Sequence, residues 1–302
     1  MAHEGAAQGA AARERAGDGS GVWRRIGVVV LVITLLSGGL TAWSRLTHQS
    51  RTEHRTFWQQ IKTVEVDSGS AKVSVEAGAA DRVTMKESLG WVTRRPSVNA
   101  QVVGSTLRVA VSCGGPISVI GCDAALDIQV PADTGVHTQG SSGDTYIRGV
   151  SGEIRAKTAS GQLWLESVSG TVWAKSASGQ IVAKELGSSV VQAASSSGQM
   201  SLGFARPPES VTATTTSGPV VITVPGQNTR YHVGGHTLSH SWSIDPDVED
   251  SGSKRTIDIT TMSGPVTVAS GSADSGAGAA TSGAPTSPGE QVPTAPTPAG
   301  SR

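Results

Sequence analysis

The pattern of apolar and polar positions along residues 142–186 repeats every nine residues, five times without a gap. Each unit opens with Ser-Gly, places an apolar or small residue at its fourth and sixth positions, and carries a charged residue at its seventh. The units are SGDTYIRGV, SGEIRAKTA, SGQLWLESV, SGTVWAKSA and SGQIVAKEL. Alternation with a period of two is typical of a strand with one buried face. A short, strict repeat therefore predicts a stacked architecture in which each unit supplies one strand and one corner.

The Ser-Gly pairs are predicted to form the corners, because glycine takes a positive φ at little cost and a serine hydroxyl bonds its neighbouring backbone. The repeat-turn glycines are Gly143, Gly152, Gly161, Gly170 and Gly179. Side-chain bulk at the sixth and ninth positions largely alternates from unit to unit, which indicates an eighteen-residue super-period. Two units would then form one coil, with odd and even units in opposite walls whose strands stack about 4.8 Å apart.

The pattern loosens on both sides of the strict repeat. Further Ser-Gly pairs precede apolar residues at 197–198, 217–218 and 263–264, and alternating runs upstream predict irregular N-terminal coils. We expect the repeat domain over residues 61–270, with its end coils covered by the strands near Val64 and Val266. A His- and Asp-rich segment, 226–259, interrupts the last repeats. The predicted fold class is all-β, a single-stranded β-helix or β-solenoid.

Composition and charge narrow the function classes. The chain has 302 residues with 38 glycines, 16% charged and 4% aromatic residues, which fits strands and turns better than a compact enzyme with a thick aromatic core. The formal net charge is zero, so no global positive field exists to recruit nucleic acid. We expect no nucleic-acid partner.

Residues 26–43 form an uncharged, mostly apolar run that Trp23 and Trp43 bracket and that Arg24 and Arg25 precede. Its eighteen residues are just enough to span a bilayer as a helix, and tryptophan suits the interface on each side. We predict a single-pass signal-anchor helix over residues 22–43 in the cell membrane, with the N-terminus cytoplasmic and the repeat domain extracellular. The alternative is a cleaved signal peptide with residues 26–36 as its apolar core, although no A-x-A-like cleavage site follows.

Three flanking segments complete the domain organisation. Residues 1–21 are predicted to be a disordered cytoplasmic tail, and residues 44–60 a stalk. Residues 271–302 consist almost wholly of Ser, Gly, Ala, Thr and Pro. Such a composition buries too little apolar surface to offset the entropy of ordering, so we expect a disordered tail there.

The chain contains two cysteines, Cys113 and Cys122, separated by GGPISVIG. In an exported chain, two close cysteines around a Gly-Gly-Pro turn predict a disulfide that closes a hairpin-like loop. Free buried thiols are the alternative.

The sequence LDIQVP at residues 126–131, then SGD at 142–144, the repeat units, and VVITVP at 220–225 resembles the bacterial adhesin-like β-strand-repeat domains of unknown function. The resemblance covers about residues 60–270. It implies a β-helix or solenoid, often membrane-anchored, and some members of that family are implicated in envelope stress responses. The resemblance carries no catalytic motif.

The fifth position of each unit is expected to point away from the interior. It is occupied by Tyr146, Arg155, Trp164, Trp173 and Val182. With two units per coil, Tyr146, Trp164 and Val182 stack on one outer wall, while Arg155 and Trp173 lie on the other. Exposed aromatic rows can bind glycans or partners through their faces, so Tyr146, Trp164 and Trp173 are the candidate binding surface. The alternative is that such ladders only stabilise neighbouring strands.

Metal and cofactor sites are not expected. His232, His236 and His240 lie four residues apart, and along a strand such positions are about 13 Å from each other, too far to share one ion. Calcium-binding nonapeptide repeats need a recurring Asp. Here the residue after each repeat glycine varies, being Asp144, Glu153, Gln162, Thr171 and Gln180.

Enzymatic activity is not expected, because the acidic residues occupy different positions in the units and neither a GxSxG nor an HExxH motif occurs. We expect a non-enzymatic, membrane-anchored envelope protein that acts as an adhesin-like binding or scaffolding module. Its expected partners are the membrane, through residues 26–43, and a cell-wall glycan or another envelope protein. The alternatives are an envelope-stress sensor and, less favoured, a β-helix enzyme acting on polysaccharide.

Overall fold

The computed structural model describes residues 27, 30–31, 49–91, 95–113, 122–226, 229–238 and 242–271. Within these ranges the chain forms 21 strands. They are β1 Gln49–Phe57, β2 Thr63–Gly69, β3 Lys72–Ala77, β4 Val83–Trp91, β5 Ser97–Val103, β6 Thr106–Ser112, β7 Cys122–Val130, β8 Gly135–Gly140, β9 Thr145–Arg148, β10 Ile154–Thr158, β11 Leu163–Glu166, β12 Val172–Ser176, β13 Ile181–Leu186, β14 Val190–Ser195, β15 Met200–Phe204, β16 Ser210–Ser217, β17 Val220–Val224, β18 His232–Thr237, β19 Trp242–Ile244, β20 Thr256–Ser263 and β21 Val266–Ser270.

The strands belong to two sheets, which are rich in parallel pairs. Sheet A has the order β1-β4-β7-β3-β9-β11-β13-β15-β17-β21-β19, and sheet B has the order β18-β20-β16-β14-β12-β10-β8-β2-β6-β5. In the repeat region Leu163 pairs in register with Thr145 and Ile181, each eighteen residues away. This register confirms that two nine-residue units make one coil of a β-solenoid, with odd units in sheet A and even units in sheet B.

The core is a continuous apolar column between the two sheets. Every second residue of a repeat strand faces inward, so Leu163 and Ile181 from sheet A and Ile154 from sheet B are fully buried. Burying each such side chain contributes about 1.5–3 kcal/mol to stability, and the register places like residues above one another in successive coils. The stacked interior therefore holds the coils together along their whole length.

The Ser-Gly corners of the five strict units are tight because the coils stack closely, not because of backbone conformation. The prediction that these glycines use positive φ is wrong: none of the five repeat glycines has one. Instead, a methyl group on Gly161 would lie 2.7 Å from the carbonyl carbon of Gly143 in the coil before, and closer still to its oxygen. Gly179 meets Gly161 in the same way. Glycine is required where one corner rests directly on the next.

Positive φ occurs at the looser Ser-Gly corners, where Gly218 and Gly264 have φ of 143° and 153°, and at the eighth position of the odd units. Gly149, Ser167 and Glu185 have φ of 70°, 51° and 53°. This left-handed residue turns the chain out of sheet A and places the ninth residue, such as Val168, inside the corner, where it is fully buried. After sheet B the chain turns differently and the ninth residue Ala177 is exposed. The alternation in bulk at the ninth position thus reflects two corner types.

A column of buried hydroxyls supports the corners that follow sheet B. Its members share a Ser/Thr-x-Ser-Gly pattern and are Thr158, Ser176, Ser195, Thr215 and Thr261. The Thr158 hydroxyl accepts a hydrogen bond from the Gly161 amide at 3.1 Å, and Ser195 accepts one from Gly198 at 2.9 Å. A buried backbone N–H needs such a partner, so the Thr158 and Ser195 hydroxyls stabilise their turns. The hydroxyls of Ser176, Thr215 and Thr261 lie in the same column but make no hydrogen bond with the described residues.

The N-terminal end differs from the expectation. β2, which contains Val64, is covered by β6 and β5, and sheet A ends in the antiparallel strands β7, β4 and β1. The predicted stalk over residues 44–60 is wrong for Gln49–Phe57, which pair with β4 along their whole length. Only Phe57 among those nine residues is strongly apolar, so the sequence lacked the alternation that marks a strand.

The C-terminal end is closed by the segment that interrupts the repeats. Its strands β18 and β19 lie outside β20 and β21, so Val266 is not at the end of the stack as predicted. Tyr231, in the same segment, is fully buried, and its backbone forms an isolated parallel β-bridge with Glu249. The interruption therefore forms an extra coil that covers the apolar end of the column.

Several predictions fall on residues outside the described ranges. These are the tails at 1–21 and 272–302 and most of the helix expected at 22–43, of which Gly27, Val30 and Leu31 are helical. Within the described residues no helix is both long and apolar enough to cross a membrane. The same residues contain no free cysteine, but the Cys122 side chain is not described, so its bridge to Cys113 stays a prediction.

Candidate binding surface

Outward side chains on both sheets form rows that cross the strands in register. In sheet A, Trp164 lies between Tyr146 and Val182. In sheet B, Trp173 lies beside Arg155. The structure thus places the predicted aromatic residues on opposite walls, Tyr146 and Trp164 on one and Trp173 on the other, and the two walls must be judged separately.

On sheet A the aromatic residues are covered by lysines. The Lys72 ammonium lies 4.8 Å from the centre of the Tyr146 ring, and the Lys184 ammonium lies 5.4 Å from that of Trp164. A cation over an aromatic face is stabilising, by about 0.5–1 kcal/mol at exposed sites. Both rings are also half-buried, and the ring faces that a ligand would contact already contact lysine side chains.

The charges of sheet A are also matched. Arg148 donates to Glu166 at 2.7 Å, which raises the pKa of the arginine through that hydrogen bond and the attraction of the carboxylate. Lys86 lies 3.6 Å from Asp127. A cavity of about 340 Å³ opens between these rows. The aromatic rings beside this cavity contact lysines, and its arginine is paired with a carboxylate. These contacts favour the interpretation of Tyr146 and Trp164 as a ladder that stabilises the sheet.

The outer face of sheet B carries a larger groove of about 480 Å³, here called the B-face groove. It crosses β5, β6, β2, β8, β10 and β12, and its outward side chains are those of Asn99, Gln101, Arg108, Ala110, Glu65, Asp67, His137, Gln139, Arg155, Lys157 and Trp173. Trp173 is 38% exposed, and among the described residues no cation lies over its ring. This tryptophan, unlike Trp164, keeps a face available.

Two ion pairs fix the arginines of the B-face groove. Arg108 Nε lies 2.9 Å from Glu65 Oε2, and Arg155 Nε lies 2.8 Å from Glu153 Oε1. His137 Nε2 is 3.9 Å from the other oxygen of Glu153. These contacts hold both guanidinium groups in place beside the groove.

Two lysines of the same face have no such partner. Lys157 on β10 pairs in register with Lys175 on β12, next to Gln139 on β8. Neither ammonium forms an ion pair or hydrogen bond with any described residue. Like charges directly opposite each other on neighbouring strands are destabilising, so this pair is a local excess of positive charge that the fold does not neutralise.

A separate charged cluster lies at the N-terminal end. Glu87 on β4 is 1% exposed, and its Oε1 lies 3.0 Å from Arg55 Nε on β1. Burial raises the pKa of this carboxyl above its ordinary value, although the nearby Arg55 opposes the shift. Arg51 and Arg95 both contact Glu53, which lies opposite Glu87 in register. The cluster joins the edge strand to the fold and does not border the groove.

The histidines do not form a site in the described part of the chain. His232 and His236 are both exposed on β18, and His240 lies outside the described residues. Over the ranges that the structure covers, no three His, Cys, Asp or Glu side chains approach closely enough to hold one ion.

Sequence reasoning identified Trp173 but not the lysines beside it. Lys157 and Lys175 are the seventh residues of the two even units, so the eighteen-residue period already placed them opposite each other. Asn99, Gln101 and Arg108 carried no comparable signal, because β5 and β6 reach the groove through pairing between strands distant in sequence.

The fold defines a parallel β-solenoid of the β-repeat class, in which rows of outward side chains cover the outer faces of the two sheets. The model of the Toastrack DUF4097 family matches residues 58–269, and the chain belongs to this family. No curated protein matches it.

Solved structures with a similar chain course include a candidate lipid binding protein from Parabacteroides distasonis, 15% identical with a TM-score of 0.44, covering 72% of this chain and 96% of that one. A candidate adhesin from Bacteroides fragilis is 11% identical with a TM-score of 0.38, covering 73% and 97%. A candidate cell adhesion protein from Clostridium sporogenes is 9% identical with a TM-score of 0.32, covering 74% and 100%.

Proposed function

We propose that this protein is a non-enzymatic, adhesin-like binding module of the cell envelope. Residues 26–43 hold it at the membrane, and the solenoid presents its walls outside the cell to a cell-wall glycan or another envelope protein. The observation that carries the proposal is the B-face groove, which the exposed Trp173 and the unpaired Lys157 line. The unpaired Lys175, in register with Lys157 on the neighbouring strand, lies next to the groove.

The architecture supports a display role. The strands of sheet A, spaced about 4.8 Å apart, give a rod about 50 Å long. Except at the sheet edges, each wall side chain is carried by a strand that is hydrogen-bonded on both sides, so a ligand meets a surface that needs little further ordering. Preorganisation of this kind reduces the entropic cost of binding.

Co-sedimentation with cell envelopes tests the proposal. The full chain, purified in detergent, is mixed with envelope fractions and pelleted, alongside Trp173→Ala and the matched control Trp164→Ala. We expect the wild type and Trp164→Ala to pellet with the envelope, and Trp173→Ala to bind about fivefold more weakly, as for an exposed aromatic anchor. Equal pelleting of all three proteins, or release of soluble sugars from the envelope, would contradict a binding role for this wall.

The membrane anchor has its own test, which is the N-terminal sequence of the protein extracted from membranes. A retained anchor predicts a start at or next to Met1. A start near Trp43 would show that the apolar segment is a cleaved signal peptide.

A further inference from the structure

We propose that the B-face groove binds an anionic glycan, with acidic groups of the polymer on Lys157 and Lys175 and a sugar ring packed against Trp173. This inference rests on the proposed function and names the chemical class of its ligand. The acidic groups are carboxylates or phosphates, because an ammonium group pairs with either.

The lysine pair supplies the charge complementarity. Lys157 and Lys175 occupy the same register position on neighbouring parallel strands, about 4.8 Å apart at the backbone. In the described structure Gln139 flanks them on one side and Ala194 on the other, and neither neighbour is charged. Repulsion between the two ammonium groups destabilises the free protein. An anion bound between them removes that repulsion, so the free energy of binding becomes more favourable.

The lysines of sheet A provide the internal contrast. Lys72 and Lys184 each lie over an aromatic ring, and Lys86 lies 3.6 Å from Asp127. Their charges are therefore already engaged within the wall. The difference between the two walls argues for an external anion on sheet B, not for a general excess of surface lysine.

Trp173 and the amides give the groove its preference for sugar. The indole is exposed beside Arg155, whose guanidinium is paired with Glu153. Among the described residues no cation lies over the Trp173 ring, so its face is open to an apolar ring surface. The side chains of Gln139, Asn99 and Gln101 line the groove and offer donors and acceptors for hydroxyl groups. The tryptophan lies at one end of the groove on β12, Gln139 lies two strands away on β8, and Asn99 and Gln101 lie at the other end on β5. This arrangement matches a polymer whose rings are apolar on their faces and polar at their edges.

The length of the groove favours a polymer over a single sugar. It crosses six adjacent strands, a span of about 24 Å. The middle of the groove, on β2, carries Asp67, two strands from Lys157, and Glu65, which is already paired with Arg108. Because Asp67 repels anions, we place the acidic groups of the polymer over β10 and β12 and its uncharged part over β2 and β6.

Titration calorimetry with defined polymers tests the inference. The full chain in detergent is titrated with hyaluronate, in which acidic and neutral sugars alternate, as the carboxylate probe, a phosphomannan as the phosphate probe, and dextran as the neutral probe. We expect binding to at least one anionic polymer and none to dextran. Lys157→Gln with Lys175→Gln should weaken binding about tenfold, as should Trp173→Ala, and added salt should weaken the wild type further.

The matched control carries Lys72→Gln and Lys184→Gln, which remove the same charge from sheet A. We expect its affinity to stay within about twofold of the wild type, and the melting temperatures of all variants show that each is folded. Equal loss in both double variants, equal binding to dextran, or no binding to either anionic polymer would overturn the inference. Stronger binding to anionic lipid vesicles than to both polymers would overturn it too.

The two proposals fail in different ways. If wild type pellets with envelopes but the lysine double variant pellets equally well, the anionic-glycan inference fails and the binding module stands. If the wild type binds an anionic polymer but not envelopes, the site is as inferred and the envelope function fails.

Discussion

Replacing Gly161 with alanine should damage the fold far more than an ordinary exposed glycine-to-alanine change. The added methyl group would lie 2.7 Å from the Gly143 carbonyl carbon, whereas ordinary contact begins at 3.4 Å, so the two corners must move apart by at least about 0.7 Å. That movement strains the hydrogen bonds from Ser160 N to Ser141 O at 2.7 Å and from Gly161 N to the Thr158 hydroxyl at 3.1 Å.

The expected loss follows from those contacts. Two weakened hydrogen bonds cost about 1 kcal/mol each, and overpacking a close-packed site costs about 1–3 kcal/mol, so we expect a loss of about 3–5 kcal/mol. Urea unfolding of the full chain, followed by far-UV circular dichroism, measures it as a shift of the midpoint.

Gly226→Ala is the matched control, because the nearest atom to its added methyl would be 3.9 Å away. The control should stay within about 0.5 kcal/mol of the wild type. If Gly161→Ala behaves like the control, close stacking of the corners is not why glycine recurs there.

Three further perturbations test other parts of the account. Leu163→Asp places an unpaired carboxylate in the apolar column and should cost more than about 4 kcal/mol, seen as rapid proteolysis; full protease resistance would mean that this position does not face inward. Because burial raises the folded-state pKa of Glu87, the contribution of this carboxyl to stability is full below the unfolded pKa and is lost as the pH rises through the folded pKa. Glu87→Gln should therefore gain stability relative to the wild type in urea melts as the pH rises above the ordinary pKa of glutamate, and a constant difference would contradict this. A thiol count of the denatured protein without reductant should find none, whereas two free thiols would exclude the bridge between Cys113 and Cys122.

The repeat region was predictable because one local rule governs each coil. The nine-residue pattern placed Leu163 against Ile181 and put Trp164 and Trp173 on opposite walls, and the registers confirm both. The reason given for the glycines was wrong, since a sequence shows where glycine recurs but not whether conformation or close approach requires it. The left-handed φ at Ser167 was equally hidden, because serine gives no signal for it.

The two ends were not predictable in the same way. β7 inserts between β3 and β4, and β20 inserts between β16 and β18, so neighbours in the sheets are distant in the sequence. Such pairings depend on which edge remains open after the repeats have stacked, which no local period encodes. The B-face groove was not predictable for the same reason, because two of the strands that line it, β5 and β6, lie outside the strict repeat.

Hydroxyl-radical footprinting with mass spectrometry tests most directly the claim that the sheet B wall is the binding surface. The full chain is oxidised with and without an envelope fraction, and the modification of Trp173 is compared with that of Trp164 in the same sample. If the sheet B wall binds the envelope, the envelope protects Trp173 and leaves Trp164 unchanged. Protection of Trp164 alone, or of neither residue, would contradict that claim.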